Sequence, residues 1–325
     1  MEPRTAFVQI PDVRIHYTDW GGSGPPLVLL HGGRLTGRSW DAVARGLSSD
    51  FHVIAMDARG HGDSDKPARG YSYDQRLTDL DRFLDAMSWK QAFGMSHSTG
   101  AMAMALHGVK HPGRLTKLVL IEPPARPFRP DAPARAEGQP AAQGAGRAGG
   151  ARNAPAQQRR GWPSRPELEA YLRAHPETGL WREDVLMDVV REGAAALPDG
   201  SVEMKWSPNA YNPDDQALNT YSLVQEAPNI KVPTFLMYGT RGIGQEEGYR
   251  AFAKGLPQSK LMIVEGAGHN IYMEDPDLVI NAVRSFLKSG FAKPAAGGYE
   301  ETRNPMTPGR VLGSAKAVKA AVKPA

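Results

Sequence analysis

Short, uninterrupted apolar runs alternate along this chain with segments in which apolar residues recur every three or four positions. Leu27 to Leu30, Phe51 to Asp57, Leu115 to Ile121, Thr234 to Tyr238 and Lys260 to Glu265 read as strands. A further short apolar strand leads into Ser96 and Ser98. Asp41 to Leu47, Leu77 to Met87 and Asp277 to Leu287 read as helices. In the last of these Leu278, Val279, Ala282, Val283, Phe286 and Leu287 share one stripe. Strands alternating with helices predict an α/β fold, a mostly parallel sheet covered on both faces.

The turns at the ends of these strands carry the chemistry. Ser96-His97-Ser98-Thr99-Gly100 sets a serine between two small residues where a strand runs into a helix. A strained strand-to-helix turn leaves no room for bulky neighbours two positions away on either side, and the helix that starts at Thr99 points its N-terminal N–H groups toward the serine oxygen. Gly94 to Ser98 fits the same template with Ser96 as the nucleophile. Ser98 is the better centre, because Gly100-Ala101 then lets the helix pack closely on the sheet. Three other glycine-punctuated turns follow strands: His31-Gly32-Gly33, Asp57-Ala58-Arg59-Gly60-His61-Gly62-Asp63-Ser64, and Gly266-Ala267-Gly268-His269.

These motifs, in this order, resemble the α/β-hydrolase fold superfamily over residues 5 to 123 and 231 to 288. The resemblance implies Ser98 as nucleophile, His269 as general base, and an oxyanion hole made by the backbone N–H groups of Gly33 and Thr99, with His31 shaping that turn. The acid departs from the commonest pattern. Thr240-Arg241-Gly242-Ile243-Gly244 follows the strand ending at Gly239, and no carboxylate occurs before Glu246 and Glu247. Haloalkane-dehalogenase-like members place the acid after the preceding strand, where Glu122 stands here. Glu122 is therefore the preferred acid and Glu246 or Glu247 the alternatives. A serine at position 98 favours acyl transfer over the alkyl-ester chemistry of dehalogenases and epoxide hydrolases. The implied activity is a cofactor-independent serine hydrolase of the esterase type, acting on an ester, lactone or similar activated carbonyl. The elbow also resembles cofactor-free haloperoxidases and perhydrolases. A slow-turnover small-molecule receptor and a non-catalytic scaffold are the remaining readings.

The chain divides into a core of residues 1–124 and 231–289, a cap inserted at 125–230, and a tail at 290–325. Residues 125–160 hold no Leu, Ile, Val or Met and are expected to be disordered. Residues 161–230 are expected to be helical, with a capping box at Ser164-Arg165-Pro166-Glu167 and a second helix from Glu183 to Ala196. Trp40, His97, Trp162, Trp181, Trp206, Met204 and Tyr211 are candidates for a substrate pocket; Trp40 is equally suited to packing, and the cap residues among them suit packing within the cap better than substrate contact.

Composition sets limits. The net charge of +4 over 325 residues is matched by the tail alone, whose Ala/Lys/Pro/Gly composition reads as disordered, so the folded part is near neutral and nucleic-acid binding is not indicated. The absence of cysteine excludes disulfides and thiolate chemistry. No metal-ligand spacing, leader or membrane-length apolar run is visible, which makes a cytoplasmic enzyme of unspecified oligomeric state with a small-molecule substrate the expectation.

Overall fold

The computed structural model describes residues 2–125, 160–217, 220–289 and 298–307. Six strands precede the insertion: β1 (Arg4–Ile10), β2 (Val13–Asp19), β3 (Pro26–Leu30), β4 (His52–Met56), β5 (Ala92–His97) and β6 (Leu115–Ile121). The insertion carries three short strands, β7 (Gly161–Trp162), β8 (Ala194–Ala196) and β9 (Val202–Met204). After it come β10 (Thr234–Gly239), β11 (Ser259–Glu265) and β12 (Tyr299–Pro305). The helices are α1 (Asp41–Leu47), α2 (Tyr73–Ala86), α3 (Ser98–Lys110), α4 (Arg165–Ala174), α5 (Glu183–Glu192), α6 (Pro213–Ala217), α7 (Leu223–Glu226), α8 (Glu246–Gly255), α9 (Ile271–Glu274) and α10 (Pro276–Ser289).

The strands on both sides of the insertion join in one sheet of order β1-β2-β4-β3-β5-β6-β10-β11-β12. It is parallel from β4 to β12 and antiparallel at the β1–β2 edge and the β2–β4 pairing. The central strands are apolar at nearly every position because both faces are covered, α1 and α10 on one side and α2, α3 and α8 on the other. Strand order reverses at β3, which pairs with β4 on one side and β5 on the other, so a crevice opens beyond the carboxyl ends of β3 and β5.

The Asp57–Ser64 loop is built around two buried carboxylates. Asp57 accepts bonds from His16 Nδ1 at 2.7 Å, the Gly37 N–H at 2.6 Å and the Asp63 N–H at 3.0 Å. A Cβ at Gly62 would fall on that carboxylate, and the residue also has φ 57°, so two independent constraints demand glycine. Arg59 grips Asp79 with both side chains 3% exposed, and its Nη1 also donates to the Gly70 carbonyl at 3.0 Å. Asp79→Ala strands that guanidinium in the interior and is expected to cost about 3–5 kcal/mol. A urea unfolding midpoint equal to the parent's contradicts this.

The cap differs from the sequence expectation. Its region is not wholly helical, since β7, β9 and β8 form a small antiparallel sheet beside α4 and α5. Helix α5 stops at Glu192, and Ala194–Ala196 pair with β9 instead of extending the helix. Ser164 is the N-cap of α4, but its hydroxyl donates to the Glu167 carboxylate at 3.2 Å and caps no backbone N–H. The expectation for 125–160 falls almost wholly outside the described residues. Part of the expected disordered tail is ordered: β12 adds a parallel edge strand to β11. Its sequence YEETRNP lacks apolar alternation, and ion pairs of Arg303 with Glu246 and Glu265, Glu301 with Arg250, and Glu300 with Lys260 flank the ladder.

The cap is tied to the core by main-chain bonds from Ser207 N to Gly60 O (2.7 Å) and Arg182 N to Met273 O (2.8 Å), and by Lys205–Asp63 and Arg182–Asp277 ion pairs. No helix among the described residues is long and apolar enough to cross a membrane.

Candidate active site

Three chain segments deliver one side chain each to the crevice. Ser98 ends β5 and begins α3 with φ 53°, a left-handed backbone that a non-glycine residue adopts only under constraint. A Cβ at Gly100 would collide with the His31 carbonyl, and one at Gly32 would lie 3.1 Å from the Ser98 Cβ, so the tightness of this corner dictates the small residues around it. Glu122 follows β6 with φ 49° while its N–H still bonds the Met237 carbonyl at 2.9 Å. His269 lies in the turn after β11.

The side chains meet in a line. His269 Nε2 lies 3.1 Å from Ser98 Oγ, and His269 Nδ1 lies 3.0 Å from Glu122 Oε2. The Glu122 carboxylate is fully buried and accepts two further bonds, from the Gly239 N–H at 2.7 Å and the Tyr249 hydroxyl at 3.2 Å. Gly242 packs so closely that a Cβ there would strike this carboxylate. The stretch after β10, which bears no acid, therefore encloses an acid supplied by its neighbour β6. Glu246 instead pairs with Arg250 and Arg303. Ser96 is buried within β5, and its hydroxyl has no partner among the described residues.

His97 stands behind His269. Its Nε2–H donates to the His269 carbonyl at 3.0 Å, and its ring is 4.6 Å from the His269 ring and 5.1 Å from Tyr272. Burial holds its pKa well below the ordinary imidazole value, as does the neighbouring His269. His97 thus supports the His269 loop, and its ring also lies against Gly32. Trp40 is fully buried and stacks on Tyr272 at 3.9 Å, the packing role that its place before α1 also suits. Trp162 packs on Tyr171 inside the cap, and Trp181 lies buried in the core shared by cap and sheet. Tyr211 reaches the His31–Gly33 turn from the cap, with Trp206 edge-on against it at 5.6 Å.

In that turn, His31 donates from Nδ1 to the Gly32 carbonyl at 2.7 Å and accepts the Ala58 N–H on Nε2 at 3.0 Å, an arrangement that needs a neutral ring. Burial lowers its pKa accordingly. A Cβ at Gly33 would come 2.9 Å from the Tyr211 hydroxyl and 3.6 Å from Thr99 Oγ1, so Gly33, Thr99 and the cap's Tyr211 converge. Tyr211 OH donates to His61 Nε2 at 3.3 Å, because His61 Nδ1–H is committed to the Arg59 carbonyl at 3.0 Å. The Gly60–Gly62 loop thereby positions the cap over the His31–Gly33 turn. Arg34, Tyr249 and Tyr272 escaped the sequence reading. Only Arg34 had a local signal, its place directly after Gly33.

One cluster departs from the expectation that no metal-like grouping exists. His107 in the last turn of α3 and His111 at its C-cap converge with Asp81 so that one ligand atom of each lies within 4.8 Å of the others. Arg114 Nε also sits 3.5 Å from Asp81, so a cation already faces that carboxylate. A second group joins His16, Asp57 and Asp63, and there Asp57 is saturated by the loop bonds described above.

A model of the Alpha/beta hydrolase family matches residues 27–282, and the chain belongs to that family of enzymes. Over 110 residues it is 38% identical to a non-heme chloroperoxidase of Streptomyces lividans, a stretch covering 33% of this chain and 40% of that one. The match thus spans well under half of that relative's length. A cis-3-alkyl-4-alkyloxetan-2-one decarboxylase of Xanthomonas campestris is 25% identical over 305 residues, covering 86% of this chain and 93% of its own. The solved structure of E-2-(acetamidomethylene)succinate hydrolase superimposes with a TM-score of 0.72 at 20% identity, covering 88% of this chain and 100% of that one. This last is a likeness of fold.

Proposed function

We propose that the protein is a cofactor-independent serine hydrolase that cleaves ester, lactone or similar activated carbonyl substrates through an acyl-enzyme at Ser98. The observation that carries this reading is the continuous hydrogen-bonded line Ser98–His269–Glu122, with distances of 3.1 and 3.0 Å. His269 Nε2 takes the Ser98 proton as Oγ attacks the carbonyl carbon, and Glu122 holds the Nδ1–H tautomer and offsets the imidazolium charge. The tetrahedral oxyanion is received by the Gly33 and Thr99 N–H groups, the latter in the unsatisfied first turn of α3, each worth about 3 kcal/mol of barrier. His269 returns its proton to the departing alkoxide. A water deprotonated by His269 then attacks the acyl carbon and regenerates Ser98.

Intact-mass analysis after exposure to a fluorophosphonate tests the reading. One adduct per chain is the expected result, and an unmodified mass after prolonged exposure overturns it. The similarity to a chloroperoxidase supports a second reading in which hydrogen peroxide replaces water in deacylation and yields a peracid. Peroxide-dependent halogenation of a phenol dye in the presence of a short carboxylic acid separates the two.

A further inference from the structure

We propose that Arg34 selects substrates that carry a carboxylate, which its guanidinium binds beneath the cap. This rests on the serine hydrolase reading and names the substrate class for that same site. Arg34 directly follows Gly33 and has φ 63°, so the chain turns there and the side chain leaves the oxyanion turn toward the cap. Its guanidinium carbon lies 5.5 Å from the Trp206 ring centroid and 5.1 Å from that of Tyr211. Other arginines near the cap boundary are neutralised, Arg38 by Asp41 and Glu192, Arg182 by Asp184 and Asp277, and Arg160 by Glu203. No described carboxylate is within ion-pair distance of Arg34, and its Nε is buried without a hydrogen-bond partner among the described residues.

Aromatic faces hold a cation in place without cancelling its charge. They also leave the edge of the guanidinium fork available, and that edge matches a carboxylate bidentately.

A second cation reinforces the field. Among the described residues Arg76 donates to the main-chain carbonyls of Tyr71 (3.3 Å) and Ala210 (3.5 Å) and to no carboxylate, and the charges of both Arg34 and Arg76 act on the Tyr211 hydroxyl. The carboxylates of this quarter are engaged elsewhere: Asp63 by Lys205, Glu203 by Arg160, and Asp215 by the Gly70 N–H. Two guanidiniums, those of Arg34 and Arg76, thus act beside the His31–Gly33 turn with no described carboxylate in ion-pair contact with either, which favours encounter with anionic substrates.

The experiment compares parent, Arg34→Gln and Arg34→Lys in two measurements. In the first, Tm is followed with adipate and with uncharged adipamide. In the second, kcat/KM is measured for the 4-nitrophenyl half-ester of adipic acid and for 4-nitrophenyl hexanoate, after subtraction of the uncatalysed rates. Adipate alone should raise the parent Tm. The anionic-to-neutral ratio of kcat/KM should fall about ten- to a hundredfold in Arg34→Gln, the equivalent of losing one charge-assisted hydrogen-bonded pair, and recover in part in Arg34→Lys. Equal response to adipate and adipamide, or a ratio unchanged in Arg34→Gln, overturns the proposal. So does a parent that ignores adipate while Arg34→Gln loses Tm without any ligand, because the chain itself then neutralises the guanidinium. Fluorophosphonate labelling of the parent reports separately on the serine hydrolase reading, and the Tm response to adipate requires no turnover, so either idea can fail alone.

Discussion

Ser98→Ala is expected to remove fluorophosphonate labelling completely and to lower kcat on 4-nitrophenyl esters by about a millionfold, to the residual rate that binding and an oxyanion hole alone provide. The size of the effect follows from the role: without Oγ there is no acyl-enzyme, and His269 has no proton to take. The fold should tolerate the change, because alanine occupies no more space at the constrained φ of 53° and the corner is already lined by Gly32 and Gly100. The Ser98 hydroxyl meets His269 and the Ser96 hydroxyl does not, so Ser96→Ala should still label. Labelling retained in Ser98→Ala and lost in Ser96→Ala would falsify the assignment.

What could be read from the sequence was what local pattern dictates. The runs at 27–30 and 118–121 are apolar at successive positions because both faces of the sheet are covered, and Gly100 must be small because backbone carbonyls lie where a Cβ would go. The elements that escaped are those decided by partners distant in sequence. Ala194–Ala196 favour helix by propensity, yet they pair with β9 because the cap offers that edge. Strand β12 has no apolar face to announce it. It exists through the parallel ladder to β11 and through carboxylates and guanidiniums that come from other elements. At the candidate site the same division holds. Ser98, Glu122 and His269, the three members of the hydrogen-bonded line, stand just beyond strand ends, where turn chemistry marks them. The company they keep, His97 behind His269, Tyr249 on Glu122 and Tyr211 over Gly33, depends on which helices and cap segments the fold brings back. The pocket aromatics could not be sorted for that reason, since a tryptophan in a sequence does not show whether it faces a crevice or, like Trp40, a neighbouring ring.

Glu122→Gln is expected to leave the protein folded and to lower kcat by about ten-thousandfold, the cost of presenting the wrong imidazole tautomer. The direction follows from the three bonds this carboxylate accepts. The Gly239 N–H at 2.7 Å needs an acceptor, so the glutamine carbonyl oxygen turns toward it and the amide NH2 occupies the place of Oε2. That NH2 then donates to His269 Nδ1, where the carboxylate had accepted, and the ring must carry its proton on Nε2. An Nε2–H facing Ser98 cannot remove the serine proton. The Tyr249 hydroxyl, which donates 3.2 Å to the same oxygen, loses its acceptor as well. A positioning role predicts a loss carried by kcat with little change in KM, and it predicts that fluorophosphonate still reaches Ser98, only more slowly. If Glu122→Gln turns over esters at the parent rate while Glu246→Gln does not, the acid has been assigned to the wrong strand end. In the structure Glu246 is held by Arg250 and Arg303, so its replacement should leave turnover of the same esters within about threefold, the range of surface substitutions that touch no reacting group.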